Sequence, residues 1–128
     1  MARRIHEELR QAVLGAWEHG KSWRTPLTRS MRGQYGRRYE VTSDQTGVSV
    51  LVWGNQVARL SCGWEGDRNP VWLYDGGCPS ALTGSVLQDV ADALGMNAEF
   101  HKRGAGIVCV MDGTSFPVPS CGVRLLWG

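Results

Sequence analysis

The side chains of this chain that are best suited to binding chemistry are the cations concentrated in the segment 21–38. Six of the fourteen lysines and arginines lie there, and no acidic residue falls among them. The aromatic residues Trp23, Tyr35 and Tyr39 are interleaved with these cations. Arginines mixed with aromatic side chains are typical of surfaces that bind phosphate and stack on bases, and also of protein-binding hot spots.

Three interpretations of this basic segment stay open. It can be a solvated hairpin whose arginines pair with acids elsewhere, a contact for an acidic protein surface, or a strip that binds nucleic acid. Gly33 and Gly36 predict a loop or open hairpin tip. The net charge of +2 gives no general attraction to nucleic acid, although one basic strip can suffice. We expect the partner-binding residues to be Arg24, Arg29, Arg32, Tyr35, Arg37 and Arg38.

A second candidate site leads from a predicted strand into a predicted helix over residues 75–85. Glycines and hydroxyl groups at a helix N-terminus can bind an anion such as phosphate. The spacing matches neither the P-loop nor the dinucleotide fingerprint, and no lysine follows. An ordinary capped turn is therefore the alternative. The candidate anion-binding residues are Gly76, Gly77, Ser80, Thr83 and Ser85.

The remaining reactive side chains form no recognisable catalytic or metal-binding pattern. The cysteines at 62, 78, 109 and 121 contain no Cys-x-x-Cys pair, whereas zinc sites usually show close ligand pairs. His101 and Cys78 lack an obvious partner for catalysis, and Asp89 and Asp92 are predicted on the solvated side of a helix. We predict no catalytic residue, no metal and no cofactor.

The N-terminus lacks the apolar stretch of a signal peptide, and no apolar run approaches the length of a spanning helix. We therefore expect a cytoplasmic protein without a membrane partner, in which the cysteines are buried free thiols. The length of 128 residues predicts a single domain over 1–128.

Apolar periodicity predicts two helices. In residues 3–19, apolar side chains recur at three- and four-residue spacing, and Gly20 is a suitable C-terminal stop. A second helix is predicted over 84–94, with Thr83 or Ser80 as its N-cap. We expect three of the core residues, Leu9, Leu87 and Val90, on these helices, together with Trp17.

Between and after the helices the pattern predicts about 6–8 short strands in hairpins. Two strand-like runs flank Gly54-Asn55, which pairs Trp53 with Gln56 and Leu51 with Ala58. This register makes both faces of the hairpin apolar, so either helices cover both faces or a partner covers one of them. Because only two helices are predicted, we expect a homodimer. It also predicts that Leu51, Trp53 and, in a later strand, Val108 are buried.

Other turns complete the predicted fold. Asp112-Gly113 is a strong turn signal, and Phe116 to Pro119 cannot form a central strand because prolines donate no hydrogen bond. Val123 to Trp127 is predicted as a final edge strand. The fold class is therefore α+β, with a mostly antiparallel twisted sheet, an N-terminal helix and a second helix near 84–94.

One short stretch of sequence resembles a class of small proteins. Ser22-Trp-Arg-Thr-Pro-Leu27 followed by Tyr39-Glu-Val-Thr-Ser43 is similar to segments of small phage and prophage proteins. The match covers about a fifth of the chain and carries no catalytic residues. It implies an accessory protein of the anti-defence, anti-CRISPR-like style, which acts by blocking a host complex.

Our leading hypothesis is a non-catalytic binding protein, of the kind a phage uses to inhibit a host defence complex. Its partner would be a host protein or ribonucleoprotein complex, with possible contact to a nucleic-acid backbone. One alternative is a sponge-like protein that binds nucleotides or other anions. Another alternative is a small nucleic-acid-binding protein.

Overall fold

Two helices and eleven strands make up the part of the chain that the computed structural model describes, which is residues 2–29, 33, 35–61, 68–77 and 80–127. All strand pairings are antiparallel. The predicted α+β fold with an N-terminal helix is therefore confirmed. The helices are α1 (Ala2–His19) and α2 (Ala81–Ala93). The strands are β1 (Trp23–Arg24), β2 (Leu27–Arg29), β3 (Tyr35–Arg37), β4 (Tyr39–Asp44), β5 (Gly47–Val52), β6 (Asn55–Ser61), β7 (Asn69–Leu73), β8 (Ala98–Arg103), β9 (Gly106–Met111), β10 (Thr114–Val118) and β11 (Val123–Trp127).

Gly20 ends α1, and Ser80 caps the start of α2. Gly20 follows α1 with φ at 68°, and its amide donates to the carbonyl of Ala16 at 3.0 Å. This left-handed residue stops the helix at the predicted position. Ser80, rather than Thr83, caps α2, because the Ser80 hydroxyl accepts a hydrogen bond from the Thr83 amide at 3.3 Å. The helix consequently starts three residues before the predicted boundary.

The largest sheet has six strands in the order β1-β4-β5-β6-β7-β11. Helix α1 packs against α2, β4 and β5, and α2 packs against β6. Val41, Val50 and Leu60 share one side of the sheet, and their side chains are fully buried. The opposite side carries residues such as Arg59 and Trp72, which are only partly buried. The sheet therefore has one core face and one more polar face.

The observed pairing of β5 with β6 differs from the predicted register of this hairpin. Trp53 adopts φ of 50°, so the two-residue turn is Trp53-Gly54 and not Gly54-Asn55. A β-bulge between Val50 and Leu51 then leaves Val57 as an extra residue on β6. A one-residue slip exchanges the faces of a strand. The inference that both faces are apolar was therefore wrong, and with it the sequence argument for a homodimer.

A separate three-stranded sheet has the order β10-β9-β8 and packs against α2 through β8. The Gln88 side chain joins them, because its Nε2 donates to the Ala98 carbonyl at 2.9 Å and its Oε1 accepts from the Phe100 amide at 3.1 Å. The strand that contains Pro117 lies at the edge of this sheet, as predicted. The last strand, β11, is likewise an edge strand.

The predicted core is confirmed at three helical positions, and the other predicted core residues are only partly buried. Leu9, Leu87 and Val90 are buried. Alternation along β9 turns Ile107 and Cys109 inward instead of Val108, and the shifted hairpin register moves Leu51 away from the core. Trp17 packs edge-to-face on Trp127 at a centroid distance of 5.2 Å. The predicted core residues that are only partly buried are Trp17, Leu51, Trp53 and Val108.

Candidate functional site

The basic segment forms a small hairpin, β2–β3, that leaves the main sheet after β1. Pro26 has no N–H group, so the pairing of β1 with β4 cannot continue past it. Thr25 holds the base of this hairpin. Its amide donates to the Tyr39 carbonyl at 3.0 Å, its hydroxyl oxygen accepts from the Tyr39 amide at 3.1 Å, and its carbonyl accepts from Arg37 at 2.8 Å. The hairpin is therefore anchored at its open end.

One face of this hairpin displays apolar and basic side chains together. Leu27 pairs with Arg37 across the strands, and Arg29 pairs with Tyr35, so the four side chains share a face. Leu27 is 64% exposed and Tyr35 is 76% exposed. Among the described residues, these two are the large hydrophobic side chains that stand open to solvent. We call Leu27, Arg29, Tyr35 and Arg37 the hairpin face.

The other side of the hairpin contacts the main sheet at Trp53. Gly36 lies over the ring of Trp53, where a side-chain carbon would stand 3.5 Å from Cε3 of the indole. The guanidinium of Arg38 lies 5.9 Å from the centroid of the same ring. Because Arg38 contacts Trp53 and Arg37 holds Thr25, both arginines also support the hairpin. Substituting Arg37 or Arg38 would therefore change the folding of the hairpin and its binding at the same time.

The remaining predicted contact residues have different positions. Arg24 is exposed on the edge strand β1, opposite Glu40. Arg29 is exposed, and its guanidinium passes close to Gly33 at the tip of the hairpin. Arg32 lies outside the described residues. The structure thus brings Arg29, Tyr35 and Arg37 onto one face, which the spacing in the sequence did not predict.

The loop proposed to bind an anion uses several of its donors internally. Gly77 donates its amide to the carboxylate of Asp75 at 2.7 Å, and the Thr83 amide is taken by the Ser80 cap. Thr83 is buried, whereas Ser85 is exposed on another side of α2. Gly76 and Gly77 both have φ of 78°, which fits a tight turn. Anion binding by this loop stays a prediction, and Cys78 lies outside the described residues.

A cluster that the sequence did not reveal joins α1 to α2. Nδ1 of His6 is in hydrogen-bond contact with Oδ2 of Asp89, and Nη1 of Arg10 lies 3.6 Å from Oδ1. The side chain of Asp89 is only 6% exposed. The expectation of a solvated Asp89 was therefore wrong, because α1 covers that side of α2. A cleft of about 480 Å³ adjoins the cluster, lined by His6, Glu7, Arg10, Ser85, Gln88 and Asp89.

Burial is the largest influence on the pKa values of Asp89 and of the nearby Tyr39. Burial raises the pKa of Asp89, while the hydrogen bond and the charges of His6 and Arg10 partly oppose that shift. Beneath the helices, burial also raises the pKa of Tyr39; the charge of Arg38 lowers it and that of Asp89 raises it. The charge of Asp89 therefore interacts with Tyr39 on β4 as well as with His6 and Arg10 on α1.

A larger groove of about 710 Å³ runs beside α1 and β1. Its apolar lining includes Ala12, Gly15 and Trp23, and its polar lining residues are all exposed to solvent. A specific ligand site usually needs a few polar groups held in place inside an apolar pocket. This groove can therefore accept apolar surface, but it offers little that would select a ligand.

The other reactive side chains are isolated from these sites. Oε2 of Glu99 lies 3.4 Å from Nε2 of His101, and both residues are exposed. Burial raises the pKa of the Cys109 thiol to about 11, which makes it inert at neutral pH. Cys121 is exposed, so the prediction of buried thiols holds for Cys109 and fails for Cys121. Within the described ranges, no group of three or more metal-ligating side chains is found.

Comparisons with other proteins add no functional information to this geometry. No protein-family model, no curated protein and no solved structure matches the chain. The described helices are also too short or too polar to cross a lipid bilayer. Function must therefore be inferred from the sites themselves.

Proposed function

We propose that this chain is a non-catalytic binding protein whose contact surface is the hairpin face. The observation that supports this proposal is the joint exposure of Leu27 and Tyr35 beside Arg29 on one face of β2–β3. Elsewhere in the described chain, large hydrophobic side chains are at least partly buried. An apolar group placed beside arginine on an anchored hairpin is suited to a partner surface.

The chemistry of the hairpin face favours a protein partner with an acidic rim. Tyrosine and arginine are enriched among residues that dominate binding energy at protein interfaces. Arg29 can pair with carboxylates around an apolar contact made by Leu27 and Tyr35. Single-stranded nucleic acid would instead favour several stacked aromatics along a groove, and Tyr35 is the only aromatic residue of the described hairpin face.

Inhibition of a host defence complex is the role that we propose for this contact. A small protein can act in this way by covering a functional surface, without chemistry of its own. The resemblance of residues 22–27 and 39–43 to phage and prophage proteins supports the biological setting. The basic segment, which holds six of the fourteen cations, supports an acidic target.

A capture experiment with two kinds of variant tests the proposal. Leu27→Ser with Tyr35→Ser removes the apolar contact, and Arg29→Ala removes the exposed charge. Because these side chains project from the hairpin, both variants should unfold like the wild type. We expect the double variant to bind the partner with an affinity at least about 30-fold lower, since hot-spot truncations cost about 2 kcal/mol or more of binding free energy.

The matched control is Arg103→Ala, which removes an exposed arginine from the β8–β9 hairpin. Tagged proteins are used to capture partners from bacterial lysate, with and without nuclease. A protein retained by wild type and by Arg103→Ala, but lost with Leu27→Ser/Tyr35→Ser, would support the hairpin face. Equal retention by all variants would refute it, and nuclease-sensitive retention would indicate nucleic acid instead.

A further inference from the structure

The cleft between α1 and α2 contains an arrangement that the hairpin contact does not use. Its histidine is oriented by a buried carboxylate, because Nδ1 of His6 contacts Asp89. A histidine held through one ring nitrogen presents the other nitrogen in a defined direction. The His6 and Arg10 side chains are 31% and 35% exposed, so neither is sealed inside the protein.

The charges of the cluster leave room for one further negative group. Asp89 is a single carboxylate placed between two basic side chains, His6 and Arg10. The contact of Arg10 with Asp89 involves one nitrogen at 3.6 Å, whereas a guanidinium has five N–H donors. When His6 is protonated, the three groups together carry one positive charge. Ser85 adds a hydroxyl group to the same cleft.

We propose that this cleft binds a small ligand through an oxyanion, namely a phosphate monoester or a carboxylate. The guanidinium of Arg10 and the free ring nitrogen of His6 would donate to the ligand oxygens, and Ser85 would add a hydrogen bond. Asp89 would not contact the ligand. It would hold the imidazole in one orientation through Nδ1, as a buried carboxylate does behind a binding histidine.

The shape and surroundings of the cleft limit the ligand to a small one. A volume of about 480 Å³ is within the range of small-molecule sites. The exposed Glu7 also lines it, which disfavours highly charged ligands such as nucleoside triphosphates. Of the loop residues proposed from sequence, the cleft contains Ser85 but not Gly76 or Gly77. The cleft is therefore a separate candidate site, which shares Ser85 with the loop.

Histidine NMR tests this proposal directly, because the chain contains three histidines. Inorganic phosphate and acetate are titrated separately into the full chain at constant ionic strength, and the imidazole carbon–proton resonances are followed. We expect His6 to shift and saturate with one of the anions. His19 and His101 are exposed, so they report general screening. Tighter binding of phosphate would identify a phosphate ligand, and tighter binding of acetate a carboxylate.

Two arginine variants make the test specific. Arg10→Gln should weaken the anion at least about tenfold, because a charge-assisted hydrogen bond is lost. Arg103→Gln removes a similar charge at a distant hairpin and should leave affinity unchanged within about twofold. The proposal is overturned if His6 does not respond to either anion, or if all three histidines respond equally. It is also overturned if Arg10→Gln binds as tightly as wild type. None of these results depends on the hairpin face.

Discussion

The ion pair between His6 and Asp89 predicts a specific loss of stability when the imidazole is removed. His6→Ala would leave the carboxylate of Asp89, which is 6% exposed, facing Arg10 at 3.6 Å. Removing one partner of a buried pair typically costs about 3–5 kcal/mol. Because His6 is itself 31% exposed and Arg10 remains, we expect a smaller loss of about 2–3 kcal/mol in the free energy of unfolding.

An Asp89→Asn background separates the buried charge from packing. The amide oxygen of asparagine can still accept a hydrogen bond from His6, but the residue carries no charge. In that background His6→Ala removes one hydrogen bond to an uncharged amide, which is worth about 1 kcal/mol. The double-mutant cycle should therefore give a coupling energy of about 1–2 kcal/mol between His6 and Asp89.

Urea denaturation followed by tryptophan fluorescence measures all four proteins of this cycle near pH 6, where histidine can carry its charge. Equal denaturant slopes are needed for the free energies to be compared. His101→Ala is the control, since His101 pairs with Glu99 on the surface and its loss should cost less than about 0.5 kcal/mol. A coupling energy below about 0.5 kcal/mol would refute the buried ion pair.

Three further predictions follow from the same contacts. Burial raises the pKa of Asp89 above its ordinary 3.8. The contribution of Asp89 to the free energy of unfolding is therefore present below about pH 4 and is lost as pH rises through the folded-state pKa. Chemical denaturation should show wild type losing stability relative to Asp89→Asn over that range. Gly47→Ala should cost more than about 3 kcal/mol or prevent folding, which circular dichroism would show, because at φ of 150° its Cβ would lie 1.9 Å from the Leu60 carbonyl oxygen. Thr25→Val should cost about 1–2 kcal/mol and speed hydrogen exchange at the Tyr39 amide, because that amide loses its acceptor; unchanged protection there would contradict the anchoring role of Thr25.

Much of the secondary structure could be predicted because its signals are local. Helix α1 follows an apolar stripe that Gly20 ends, and α2 follows a stripe that Ser80 caps. Pro117 restricts its strand to an edge for a purely covalent reason, the absence of an N–H group. These features depend on residues within a few positions of one another, so the sequence alone was sufficient for them.

The candidate sites could be predicted only in part. Composition indicated the basic segment, and the structure then showed that Arg29 and Tyr35 share its exposed face while Arg38 also contacts Trp53. No local signal marked His6 and Asp89, which are separated by 83 positions in the sequence. Helical spacing alone placed Asp89 on the solvated side of α2.

The sequence by itself determined the fold class, the two helices and most of the hairpins, because backbone conformation follows local residue chemistry. Tertiary structure alone decided which face of each strand is buried and which distant groups meet. A left-handed Trp53 and a bulge at Val50 reversed the predicted faces of the main hairpin. Likewise, packing of α1 on α2 turned Asp89 from a solvated side chain into a buried partner of His6. Both outcomes depend on non-local packing, which periodicity along the chain does not encode.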